Sequence, residues 1–117
     1  MAFRFEKLET WELARSFTTE IYKITRQFPK EEIFGLSSQL RRAAISVALN
    51  IAEGSDRKSD MEFKRFLRMA LSSLEEVITG LYIALDQKFL SREDFNSLYQ
   101  RGNSLAKKIN ALIKALK

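Results

Sequence analysis

A chain of 117 residues has the length of one ordinary domain and leaves no room for two. At this size 45% hydrophobic residues are enough for a core, and 30% charged residues, with a formal net charge of +5, are enough for a solvated surface. The chain has no Cys and no His, which excludes disulfides, thiol chemistry, the commonest metal ligand and the commonest general base near neutral pH.

Four Gly and one Pro leave few places to break regular structure, so long helices are expected. The first spans about 10–28. Thr10 is a plausible N-cap, and Trp11, Ala14, Phe17, Ile21 and Ile24 recur at helical spacing. Phe28-Pro29 ends it, because the residue before a proline is pushed out of helical geometry. Lys30 to Leu36 is a connection with a turn at Gly35. The second helix spans about 37–54, with Ser37 as its cap and Gly54 as a left-handed residue just past its end.

Ser55 to Lys58 reads as a short polar loop. The third helix spans about 60–87 and opens on a capping box of Ser59 and Glu62. Phe63, Leu67, Ala70, Leu74, Val77, Leu81 and Ala84 form a coiled-coil-like seam, widened by Phe66, Leu71, Ile78, Tyr82 and Leu85. The fourth helix spans about 92–116 behind a Ser91 cap; Phe95, Leu98, Gly102, Leu105, Ile109, Leu112 and Leu116 form its seam, where Gly102 permits close approach. Short loops between long helices imply antiparallel neighbours. The expected fold is an all-α, antiparallel, up-and-down four-helix bundle, one domain over residues 1–117.

The second helix is unusual. Gln39, Arg42, Ser46, Asn50 and Glu53 fall within about 80° of one another at 3.6 residues per turn. Leu40, Ala44, Val47 and Ile51 lie opposite and face the core, while Ala43, Ala48 and Ala52 keep the helix thin. The polar stripe reads either as a solvent face or as an interface or buried polar network. It carries one Arg and one Glu among short neutral side chains, which offer directed hydrogen bonds and little solubilising charge.

Basic residues gather in two segments. Arg57, Lys58, Lys64, Arg65 and Arg68 form one; Lys107, Lys108 and Lys114, with Arg101 and Lys117, fall in the acid-free stretch from Asn96 to the C-terminus. Both read as solvated helix faces or as candidate nucleic-acid contacts, since clustered cations favour a phosphate backbone. Catalytic readings fail on composition: no Glu-x-x-His pair, nucleophile elbow or Gly-rich phosphate loop is present. Neither an enzyme, a metal nor a cofactor is expected. No run of 18 apolar residues is present and the N-terminal residues are too charged for a secretory signal, so a cytoplasmic protein is expected.

The run Gly35-Leu36, Gln39, Arg41-Arg42-Ala43-Ala44, Ser46 and Asn50-Ile51-Ala52-Glu53-Gly54 resembles the signature of the bacterial four-helix-bundle proteins associated with intervening sequences in 23S ribosomal RNA genes. Leu8, Trp11, Phe28-Pro29, Phe63, Phe66-Leu67, Ala70, Ser73-Leu74 and Glu76 extend the likeness along essentially the whole chain. The resemblance implies a homopentamer arranged as a ring or barrel, with no known enzymatic activity. It also makes the second-helix stripe a shared feature of the family. Two departures stand out: Ala48 replaces a common proline, and Lys88 replaces a common glycine. The expected function is a homo-oligomeric scaffold that binds RNA or another nucleic acid; the alternative is a protein–protein adaptor with no nucleic-acid partner.

Overall fold

The computed structural model describes residues 2–117. Four α-helices run α1 (Glu9–Thr25), α2 (Leu36–Ser55), α3 (Asp60–Asp86) and α4 (Arg92–Ala115), with 3-10 turns at Arg4–Lys7 and Lys30–Glu32 and no strand among the described residues. Each helix packs on its neighbours in chain order and α4 closes on α1, while the diagonal pairs α1/α3 and α2/α4 have no backbone approach within 8 Å between Cα atoms. The result is a square up-and-down bundle, 43 × 22 × 22 Å. Cross-helix contacts confirm the antiparallel sense. Gly80 of α3 faces Leu40 of α2, Tyr82 meets Phe95 at the α3/α4 end, and Lys108 reaches Glu9 across α4/α1.

Most of the expected core is buried, but Trp11 of the α1 face and Leu112 and Leu116 at the end of the α4 seam are only half-buried. The whole α3 seam is buried, as are Ala14, Phe17, Ile21 and Ile24 of α1, Leu40, Ala44, Val47 and Ile51 of α2, and Phe95, Leu98, Leu105 and Ile109 of α4. The widening strip of α3 is graded: Phe66 is buried, Leu71, Ile78 and Leu85 are half-buried, and Tyr82 is exposed.

Helix ends differ from the expectations in instructive ways. Thr10 is not a cap. Leu8 holds the extended N-cap position, and Thr10 is buried inside α1 with no partner for its hydroxyl. The preceding turn is held instead by Phe3 stacked on Phe5 and by Phe5 tilted against Trp11, at 5.7 and 4.8 Å between centroids. α1 stops at Thr25 rather than near Phe28, because Gln27 and Phe28 donate to Ile24 and Thr25 in tight turns before Pro29.

Ser37 does not cap α2 either. Gly35 is the N-cap residue, and the Glu32 carboxylate accepts from Leu36 N at 3.0 Å, a side chain from outside the helix satisfying a free amide. α2 runs unbroken through Ala48. Ser59 and Ser91 cap as expected, accepting from Glu62 N at 3.2 Å and Asp94 N at 3.0 Å. The reciprocal half of the expected capping box is missing, since the Glu62 carboxylate turns to Arg65.

Two positions carry backbone consequences. Gly54 is not left-handed; it remains within α2 and is buried. A Cβ there would stand 2.6 Å from the Cβ of Phe66, so glycine is required by packing rather than by conformation. Lys88 does adopt the left-handed region, with φ 66°. Lys88 N donates to Leu85 O at 3.0 Å and Phe89 N to Ala84 O at 2.9 Å, the paired bonds of a Schellman ending.

Lys88→Gly should therefore stabilise the protein by about 1 kcal/mol, since a left-handed Lys bears a Cβ penalty that glycine lacks. Gly54→Ala should cost about 1–3 kcal/mol by overpacking. Urea unfolding of the two variants beside the parent measures both signs.

Candidate nucleic-acid interface

The antiparallel packing brings two distant stretches of sequence to one end of the bundle. The N-termini of α1 and α3 and the C-termini of α2 and α4 meet there. Arg4 Nη1 donates to Ser55 O at 3.0 Å, Lys108 pairs with Glu9 at 3.2 Å, and Lys117 N donates to Asp60 Oδ2 at 3.0 Å. Both basic segments singled out in the sequence lie at this end.

The structure sorts the eight candidate cations into two sets. Three are engaged locally. Arg57 pairs with Glu53 at 3.6 Å, Arg65 with Glu62 at 3.2 Å, and the two guanidiniums lie 4.8 and 5.1 Å from the Phe66 ring centroid. Such contacts hold arginine through both the ion pair and the ring face. The hydrogen bond from Arg65, then its charge, keeps the Glu62 carboxyl below the usual carboxylate range. That clasp is therefore lost only as pH falls through the lowered value. Lys108 turns toward α1 and Glu9.

Lys58, Lys64, Arg68, Lys107 and Lys114 have no acid within ion-pairing distance among the described residues. Four of them share a surface. A groove of about 590 Å³ runs between α3 and α4, walled by Leu71, Glu75 and Ile78 on one side and Asn103, Ala106 and Asn110 on the other. At 100° per residue, Lys64 and Arg68 fall within about 60° of Leu71, and Lys107 and Lys114 within about 40° of Asn103. The groove walls thus continue into four unpaired cations. Lys58 stands apart, exposed on the α2–α3 loop.

The other end of the groove is aromatic. Tyr99 lines it and is 37% exposed; its ring centroid is 5.9 Å from Phe95 and 6.5 Å from Tyr82. Tyr99 was not distinguished by periodicity, because it lies one residue off the α4 seam. Its signal is that an aromatic residue occupies a position the seam leaves outside.

The second-helix stripe divides. Gln39, Arg42 and Glu53 are exposed, whereas Ser46 and Asn50 are half-buried. Ser46 Oγ lies 2.8 Å from Ser73 Oγ on α3, and Asn50 Nδ2 donates to Ser46 O at 2.9 Å and to Ser46 Oγ at 3.1 Å. The middle of the stripe is a small hydrogen-bonded node that ties α2 to α3. Gln39 lines a shallow recess with Glu76 and Thr79, which shares Glu75 and Thr79 with the α3/α4 groove. Among the described residues, no group of three or more Asp and Glu side chains is arranged to hold a metal, and no helix is long and apolar enough to cross a membrane.

Bundle and groove together define a small all-α protein with a cationic end. The chain belongs to the family of 23S rRNA-intervening sequence proteins, which it matches over residues 6–111. Its fold is similar to the crystal structure of a protein of unknown function from the S23 ribosomal protein family of Bacteroides thetaiotaomicron. The TM-score is 0.83 at 22% sequence identity, covering 90% of this chain and 98% of that one. No curated protein matches this chain.

The serine node predicts its own coupling. Ser46→Ala, which also removes an acceptor of Asn50 Nδ2, and Ser73→Ala should each cost about 1 kcal/mol, and the double variant clearly less than the sum, because the bond the two serines share is lost in all three. A thermodynamic cycle from urea unfolding measures it.

Proposed function

We propose that this protein is a non-enzymatic, homo-oligomeric scaffold that binds RNA in the groove between α3 and α4. One observation carries the reading. Lys64, Arg68, Lys107 and Lys114 come from two segments some forty residues apart. By helical position they extend the two walls of the α3/α4 groove rather than lining it, and they have no acid within ion-pairing distance among the described residues.

Unpaired cations cost less to redirect to a ligand than paired ones. Each phosphate neutralised releases condensed counterions, so affinity comes chiefly from the backbone. Asn103, between Tyr99 and Lys107, and Asn110, between Lys107 and Lys114, offer directed donors and acceptors. Tyr99 offers a ring face on which an unstacked base can lie, worth about 1–3 kcal/mol per base. From Tyr99 to Lys114 the α4 wall is about 22 Å long, enough for a short single-stranded segment rather than a duplex face. The reading therefore favours single-stranded or looped RNA, recognised with little sequence preference.

The scaffold part of the proposal is supported by apolar side chains left in water on a chain of this size. Leu49 is 61% exposed and Phe34 is 94% exposed. Light scattering should give a mass that is a multiple of 13.6 kDa.

Filter binding to a looped RNA across a salt series tests the groove. The expected log–log slope is about −3, from four cations on a single strand. Lys64→Glu with Arg68→Glu should abolish retention at moderate salt. The same reversal at Arg57 and Lys58 should have a much smaller effect, because these residues lie outside the groove. No retention at low salt, or retention indifferent to the Lys64 and Arg68 reversals, defeats the proposal. A stoichiometric protein recovered in place of RNA points to the adaptor instead.

A further inference from the structure

Phe34 is 94% exposed and Ile33 beside it 55% exposed. They form an apolar knob at the α1–α2 connection, immediately after the acidic pair Glu31 and Glu32. Neither residue belongs to a helical seam, and the buried core is complete without them.

A matching concavity lies on the α1/α2 face. A groove of about 480 Å³ has Trp11, Tyr22, Ile45, Ala48 and Leu49 along its walls and Arg15, Lys23 and Arg26 at its margin. A cavity of about 150 Å³ takes a benzene ring, so this groove has room for the Phe34 ring and the Ile33 side chain together. The knob of the same chain reaches only the Arg26 end, where Ile33 and Arg26 line one recess with Lys30, and leaves the far end open. Ala48 lies twelve residues beyond the start of α2, about 18 Å along the helix.

Charge complements shape. Glu31 and Arg26 have no ion pair among the described residues, while Arg15 and Lys23 are already held by Glu12 at 3.7 Å and Glu20 at 3.4 Å. Glu32 spends one carboxylate oxygen on Leu36 N. Lys30, also without an ion pair, stands beside Glu31 and Glu32, so the shoulder of the knob carries a net charge of −1, while Arg15, Lys23 and Arg26 against Glu12 and Glu20 leave the groove margin at +1.

We propose that a second copy of this chain seats its Ile33–Phe34 knob in the α1/α2 groove, with Glu31 of the incoming copy against Arg26. The inference rests on the homo-oligomeric reading above and names the surfaces that make the assembly.

Light scattering and sedimentation on the full chain test it. Phe34→Asp and Leu49→Glu alter exposed side chains on the two halves of the contact, and circular dichroism confirms that each variant stays folded. Each should weaken association about thirtyfold or more, the scale of an aromatic anchor at an interface. Arg26→Glu and Glu31→Arg should each weaken it, and the two combined should recover a large part of the loss. Because the chain has no Cys, a Phe34→Cys, Leu49→Cys variant should form intermolecular disulfides under oxidation far faster than either single variant.

An assembled parent whose mass is unchanged by Phe34→Asp and by Leu49→Glu overturns the proposed surfaces while the oligomer reading stands. A parent that stays at 13.6 kDa at its highest soluble concentration overturns both.

Discussion

The seam between α2 and α3 is the contact on which the rest of the structure depends. α2 is thin where it meets α3: Gly54 lies against Phe66 and Phe63, and at the other end Leu40 fills the space over Gly80. Between these two close approaches, Ser46 and Ser73 share a hydrogen bond at half-height. A rigid helix pair pinned at three levels has one register. Packing at protein-interior density penalises a shift of even a fraction of a turn. The polar node adds direction, because a slipped register would leave its hydroxyls unpaired in a half-buried place.

That register decides where charge appears. With Phe63 and Leu67 fixed into the core, Lys64 and Arg68 must emerge on the α4 side of α3, and Arg65 on the α2 side. Arg65 then finds Glu62 and the Phe66 ring, whereas Lys64 and Arg68 face the C-terminal half of α4 with no acid at ion-pairing distance. Adjacent residues in one basic cluster thus have different fates because a helix turns 100° between them. Net charge alone would not separate them. A surface ion pair is weak in free energy, but it still occupies a guanidinium that would otherwise reach a phosphate.

Most of the fold was legible because periodicity is a property of the chain itself. The seams of α3 and α4, the apolar faces of α1 and α2, and the serine caps at Ser59 and Ser91 all follow from local spacing. What was illegible depends on partners remote in sequence or on backbone detail. Thr10 looked like a cap because its side chain suits one, yet with the aromatic cluster of Phe3, Phe5 and Trp11 packed before it the cap falls two residues earlier, at Leu8. Gly54 looked like a terminator, and only the position of Phe66 shows that it is a spacer. The basic residues were found, but their division into paired and unpaired sets needed the fold. Phe34 was passed over because a connection is read for turn residues, and an apolar side chain there has no periodicity to betray it.

The arrangement of the square bundle bears on how the two proposed surfaces coexist. Helices neighbour one another in the cyclic order α1, α2, α3, α4, with no close backbone approach across the diagonals. The α1/α2 groove and the α3/α4 groove therefore lie on opposite faces of one subunit. A contact that covers the first leaves the second open, so assembly need not compete with RNA for surface. Each added subunit would bring another cationic groove into the same particle. Weak backbone contacts of the kind four cations can make become effective when several are presented together, since the second contact is intramolecular once the first has formed. A single bundle with one short groove would hold RNA poorly at moderate salt. The physical case for nucleic-acid binding is for that reason stronger in an assembly than in the isolated chain, and the two proposals support each other through valency rather than through a shared site.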